Sequence, residues 1–210
     1  MDRRQVAIMA AQMKKATIEP NEFIKFAFKS ESETNVWYIT LSNFSGDDGE
    51  FSYQVTDESG NIKTKYGEYL VRVELPGNFP FDPPHFYFLT ENGLYGVGTK
   101  VCISIGEFHK DQYRAALGVS GFCNQLVSGL IGWKSMGGGI AITKTTDKQK
   151  KELAAKSYDY NRSHYPEIIE KVETAYAIYS SKWDLNKIPH EMKVRLGLTT
   201  DEEECLPGSA

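Results

Sequence analysis

Cysteine is scarce in this chain, and the three that occur, Cys102, Cys123 and Cys205, form an odd set without paired spacing. That suggests neither a disulfide framework nor a Cys-x-x-Cys metal site, and it fits a reducing compartment such as the cytosol. Long hydrophobic runs are missing too. No stretch approaches the roughly 18 apolar residues of a membrane span, and Asp2, Arg3 and Arg4 are followed only by a short mixed segment, without the apolar core of a signal peptide. The expectation is a soluble chain. Charge of one sign is not in large excess either: the net charge is −4 and the pI about 5.7, which gives no general attraction to nucleic acid or anionic lipid. Internal repeats and low-complexity blocks are absent.

What is present suits a globular domain. The chain has 210 residues, 40% hydrophobic and 25% charged, enough for one domain of ordinary size plus an extension. From Asp2 to about Thr17, Val6, Met9, Ala10 and Met13 recur at helical spacing, with Arg3, Arg4, Lys14 and Lys15 mostly elsewhere around the helix. The grammar then changes. Glu22 to Lys29, Asn35 to Leu41, Glu68 to Leu75 and His85 to Leu89 are rich in alternating, aromatic and branched residues and read as four strands. Between Ser45 and Gly67, turn residues surround one further strand-like piece, Phe51 to Val55, as in a long hairpin excursion. The connections lack crossover helices, so the strands are expected to form an antiparallel meander. Past Cys102, Val119, Phe122, Cys123, Leu126, Val127, Leu130 and Ile131 mark a central helix, with Cys123 as a buried, inert thiol. A helix from Asp147 towards Tyr160, capped by Thr145 or Thr146, and another after Pro166 complete an α+β architecture, with Lys193 to Leu198 as a further helical piece in the tail.

Chemistry concentrates between Phe79 and His109. Val101, Ile103 and Ile105 alternate with Cys102 and Ser104, so in an extended segment the Cys102 thiol points away from its aliphatic neighbours and is accessible. An ordinary thiol is already a few per cent thiolate at neutral pH, sufficient for thioester exchange. Asn92 lies in a Thr-Glu-Asn-Gly turn; it either satisfies backbone groups there or donates an amide N–H to the oxyanion of a tetrahedral intermediate. His109, in a polar segment with Lys110 and Asp111, is either solvated or takes a proton from an incoming amine or hydroxyl. Cys205 follows the acidic run Asp201 to Glu204, which raises a thiol pKa and removes it as a nucleophile. A thiol hydrolase built on Cys102 and His109 is compatible with these residues alone, although no orienting group for the histidine is evident.

From about Asn35 to Val172 the chain resembles a ubiquitin-conjugating enzyme, and within that family the class that is tail-anchored in the endoplasmic reticulum and serves protein quality control. The resemblance rests on Phe79-Pro80-Phe81-Asp82-Pro83-Pro84, on Leu89-Thr90-Glu91-Asn92-Gly93, on Val101 to His109, and on the glycine-rich connection and helix between Met136 and Tyr160. It implies the ubiquitin-conjugating fold: an N-terminal helix, a four-stranded antiparallel meander, a central helix and two C-terminal helices, as a catalytic domain over residues 1–182 with an extension over 183–210. It implies that Cys102 accepts ubiquitin from an activating enzyme as a thioester, that Asn92 assists transfer, and that His109 assists attack by a lysine or hydroxyl of a protein substrate. No metal or diffusible cofactor is implied. Arg3, Arg4, Lys14 and Lys15 then resemble the surface that meets the activating enzyme and ligases, and Leu75, Pro80 and Ala115 fall at ligase-contacting positions.

Departures from the family pattern gather after the histidine. Lys110 replaces the usual proline, and Tyr113-Arg114-Ala115-Ala116 replaces Trp-x-Pro-Ala, which bears on contact with a RING ligase. No membrane tail follows the acidic run, so a cytoplasmic location is expected, at the cytosolic face of the endoplasmic reticulum if a tail has been removed. A catalytically silent variant that binds ubiquitin or a partner is the alternative within the fold, and such variants lack the cysteine.

Overall fold

Side-chain alternation along four short strands decides which face of the sheet is dry. In the computed structural model, which describes residues 3–28, 33, 35–101, 114–135 and 143–199, strands β1 (Ile24–Phe28), β2 (Val36–Leu41), β5 (Tyr69–Glu74) and β6 (His85–Phe88) form one antiparallel sheet in the order β1-β2-β5-β6. The register sets Phe26 opposite Ile39, Ile39 opposite Val71 and Val71 opposite Phe88. One side of the sheet is thereby a continuous apolar layer, which Trp37, Leu41, Val73 and Phe86 extend, all buried. The meander is as expected from the sequence. The excursion between β2 and β5 differs from expectation, because it holds two strands, β3 (Ser52–Thr56) and β4 (Ile62–Tyr66), paired only with each other. Every residue of β4 is exposed, so burial left no pattern there to read.

Helix α2 (Gly118–Ile131) supplies the other half of the core. Val119, Phe122, Cys123, Leu126, Val127 and Leu130 are all buried, following the spacing of the stripe. Burial pushes the Cys123 thiol up to about 12, as desolvation disfavours the thiolate. Helix α1 (Arg3–Ile18) corrects the expected face: Val6 is 47% exposed and Ala10 is exposed, whereas Met9 and Ala16 are buried. The face that packs inward runs through Gln5, Ile8, Met9, Gln12, Met13 and Ala16, so that Met9 and Met13 lie on it as expected while Val6 and Ala10 do not. Two of these are glutamines that serve the main chain: Gln5 donates to the Gly77 carbonyl, and Gln12 Oε1 accepts the Val119 N–H at 3.0 Å. Polar residues placed inside an interface blur the hydrophobic period that would otherwise reveal it.

Two longer helices follow, α3 (Asp147–His164) and α4 (Pro166–Ser180). Thr146 caps α3 through a reciprocal pair, its hydroxyl accepting from the Gln149 N–H at 3.2 Å while the Gln149 side chain accepts from the Thr146 N–H at 2.8 Å. Pro166 opens α4, where a missing N–H costs nothing. Helix α4 runs along β1, tied by Lys25 to Glu173 at 3.0 Å and by Phe26 stacked on Tyr179 at 5.1 Å. Beyond it, Trp183 donates its indole N–H to the Thr17 carbonyl at 3.0 Å, and Ile188, Met192, Leu196 and Leu198 pack against the same core. The last helix among the described residues, α5, spans His190–Arg195, earlier in the chain than the expected Lys193 to Leu198. Among the described residues no helix is long and apolar enough to cross a membrane.

Two measurements check this account. Thr146→Ala removes the hydroxyl half of the cap, leaving the backbone N–H to Gln149, and is expected to lower stability by about 1 kcal/mol in denaturant titration, with an unchanged m-value. For Cys123, the unfolded thiol ionises from about 9 while the folded one is held to about 12. Its contribution is therefore fully present below pH 9 and is lost as pH rises towards 12, by up to about 1.4 kcal/mol per pH unit. Cys123→Ala should flatten that alkaline slope; an unchanged slope would assign it to other groups.

Candidate active-site turn

The turn after β6 is built around one side chain. Asn92 is 0% exposed. Its amide oxygen accepts the N–H groups of Leu94 and Tyr95 at 2.9 and 2.7 Å, and its amide nitrogen donates to the carbonyls of Thr90 and Tyr95, both at 3.2 Å. Each N–H of the amide is thus committed to the main chain, and the turn-closing role is the one its contacts display. An oxyanion-donor role requires one of those bonds to open. Gly93 follows with φ +73°, a left-handed conformation that disfavours a side chain.

Neighbouring elements fix this turn from three sides. Thr90 Oγ1 accepts the Leu70 N–H of β5 at 2.8 Å and donates to Asn161 of α3, whose amide nitrogen donates to the Glu68 carbonyl at 2.9 Å. From the segment before α3, the Thr143 hydroxyl donates to the Gly93 carbonyl at 2.8 Å, the Thr145 hydroxyl donates to the same oxygen, and the Thr143 N–H donates to the Leu94 carbonyl at 2.6 Å. Beneath lies Lys150, 1% exposed. On the strand side, Lys100 pairs with Tyr87 and the Val101 N–H donates to the Phe86 carbonyl at 2.9 Å, so the chain is anchored to β6 immediately before Cys102. Thr143, Thr145, Asn161 and Lys150 were not among the sequence candidates. A threonine or lysine far from the motif carries no local signal of such a role.

Electrostatic shifts next to the turn come from paired side chains. Hydrogen bonds to Asp48 and then Asp147 hold the Lys134 ammonium above its ordinary range, and the bond from Lys134 holds the Asp147 carboxyl below its own. Burial, assisted by Tyr165 and Glu91, raises the Tyr160 phenol. No group of His, Cys, Asp and Glu among the described residues is arranged to hold a metal ion.

The other sequence candidates divide as follows. Cys102 and His109 lie outside the described residues. Arg3, Arg4, Lys14 and Lys15 are exposed along α1, and Ala115 is exposed in the short 3-10 turn Ala115–Leu117. Pro80 is half-buried, joined to Phe79 by a cis peptide bond and followed by Phe81 at 65% exposure. The Gln5 contact to Gly77 brings the start of α1 beside the loop that carries Pro80. Leu75 is a correction: at 2% exposure it belongs to the core cluster and offers no free surface to a partner. It follows β5, where its N–H donates to the Asn35 carbonyl at 2.8 Å, and this anchoring turns the side chain inward.

No protein-family model matches the chain. The chain is 33% identical over 113 residues to ubiquitin-conjugating enzyme E2 J2 of Mus musculus, 51% of this chain and 42% of that protein. It is 34% identical over 122 residues to ubiquitin-conjugating enzyme E2 6 of Candida glabrata, 54% of this chain and 48% of that one. With E2 6 of Kluyveromyces lactis the match runs longer, 148 residues at 28% identity, 70% of this chain and 57% of the relative. The chain thus spans about half the length of the curated relatives it matches. The solved structure of human ubiquitin-conjugating enzyme E2 G1 aligns over 61% of this chain and 95% of its own, with a TM-score of 0.45 and 16% identity. By its sequence, the chain is similar to ubiquitin-conjugating enzymes of both the E2 J2 and the E2 6 kinds.

Proposed function

We propose that the chain is a ubiquitin-conjugating enzyme: Cys102 accepts ubiquitin from an activating enzyme as a thioester and passes it to a lysine or hydroxyl of a protein substrate. The similarity to E2 J2 and E2 6 enzymes over more than a hundred residues carries this reading. The Asn92 turn that closes β6, with Val101 bonded to Phe86 of the same strand, supports it. In the charging step the thiolate attacks the activated ubiquitin carbonyl and the activating enzyme's thiol leaves; in discharge an amine attacks the new thioester, and the Cys102 sulfur leaves as the amine loses a proton. His109 receives that proton, and Asn92 keeps the adjoining backbone in place for the tetrahedral intermediate. No metal or cofactor enters. The exposed cations Arg3, Arg4, Lys14 and Lys15 meet the activating enzyme and ligases, together with Pro80 and Ala115. The class resembled in sequence suggests quality-control work on the cytosolic side of the endoplasmic reticulum.

Incubation with ubiquitin, activating enzyme and ATP is expected to yield a reductant-sensitive adduct, which Cys102→Ser abolishes or converts to a reductant-stable ester. A chain that stays uncharged while a control enzyme charges would sink the proposal. Asn92→Ala and His109→Ala should both slow discharge more than charging, and Asn92→Ala should also cost about 1–3 kcal/mol of stability, because it strands buried backbone groups. Loss of charging with normal discharge in either variant would remove that residue from the transfer step.

A further inference from the structure

A lysine that is 1% exposed needs a reason, since an ammonium taken out of water is costly unless its charge is met. Lys150 Nζ donates to the Thr145 carbonyl at 2.8 Å, stands 4.2 Å from the centre of the Trp133 ring, and lies 3.7 Å from Asp147. The indole works from two sides. Its N–H donates to Glu50 at 2.5 Å while its face receives the ammonium, and a carboxylate drawing on the N–H makes the ring face a better cation acceptor. Glu50 is itself 0% exposed and also accepts the Asp48 N–H at 2.9 Å. The chain of contacts therefore joins the loop before β3, the turn after α2 and the first turn of α3.

The lysine stem has a second contact, directly below the active-site turn. A Cβ built on Gly93 would fall 2.9 Å from Lys150 Cγ and 3.0 Å from the Thr145 hydroxyl. Gly93 thus rests on the stem of Lys150, while the ammonium grips the carbonyl of Thr145, whose hydroxyl in turn bonds the Gly93 carbonyl. One side chain sets both the floor of the turn and the position of the strap over it. A hydrophobic residue of similar length would provide the floor alone. We propose that Lys150 is a positioning residue for ubiquitin transfer: through Thr145 and the Trp133 face, its buried ammonium holds the Asn92–Gly93 turn in the geometry that discharge requires.

This proposal rests on the conjugating-enzyme reading, and the test separates the two. Lys150→Met keeps the stem and removes the charge. In single-turnover assays it should charge within about twofold of wild type and discharge to free lysine between about tenfold and a hundredfold more slowly, in kcat rather than in the half-saturating lysine concentration. A purely structural role would lower both steps together. Amide hydrogen exchange of the uncharged protein reads the same coupling without activity: protection of the Leu94 and Tyr95 N–H groups should fall about tenfold relative to the α2 core. Trp133→Leu, which leaves the lysine and removes its ring partner, should repeat both effects at smaller amplitude and serves if Lys150→Met does not fold. Discharge within twofold of wild type, or unchanged exchange at Leu94 and Tyr95, overturns the proposal. If wild type forms no adduct, the conjugating reading falls and takes the transfer role with it, while the exchange arm still decides whether Lys150 holds the turn.

Discussion

One side-chain amide carries the local geometry on which the rest of the site depends. An asparagine has two donors and an oxygen with two acceptor positions, and Asn92 commits all of them to backbone groups within three residues. That fixes where β6 ends and how the chain departs from it. The other supports, from β5 through Thr90, from α3 through Asn161 and from the Thr143–Thr145 strap, attach to a turn already closed on itself. A rigid turn suits the acyl transfer proposed for this chain, where small errors of placement cost rate.

The sheet and α2 bury their apolar faces in an ordinary way, but the edge of the molecule nearest this turn is held by buried polar groups. Glu50, Lys150, Thr90, Asn92 and Asn161 are all sealed from solvent. Such groups are tolerable only when each finds its partners; those of Asn92 are local, whereas Glu50 meets Trp133 across 83 positions and Thr90 meets Asn161 across 71. Apolar packing would accept small slips between these segments. Directional hydrogen bonds do not, which suits a region where register matters more than adhesion.

The parts of this fold that were legible in the sequence are those where burial and period coincide. The α2 stripe from Val119 to Leu130, the four sheet strands and a threonine cap before α3 announce themselves through spacing and residue type, the structure choosing Thr146 over Thr145. Strand β4 did not, because exposed strands need no alternation, and the inward face of α1 was displaced because Gln5 and Gln12 serve as interface residues. At the site, Asn92 was visible through its turn, with its two roles undivided until its bonds were seen. Leu75 looked like surface by position in a motif, although its neighbours enclose it. Lys150 was invisible: lysine is a surface residue by habit, and only the fold brings an indole, a carbonyl and a glycine around it.

The paired excursion of β3 and β4 has a simple geometry. Its base is pinned where Glu50 meets Trp133, and its tip is a local turn in which Asp57 Oδ1 accepts the N–H groups of Ser59 and Asn61. A Cβ added to Gly60 in that tip would meet nothing within 4 Å. Between base and tip, every residue of β4 is exposed, while the ribbon lies against α3 and Tyr53 of β3 packs onto the core. Beyond the part that rests on α3, the ribbon's length is a free variable: residues added or removed in matched pairs at the tip change how far it reaches from the body, and leave the sheet, the helices and the closed turn where they are.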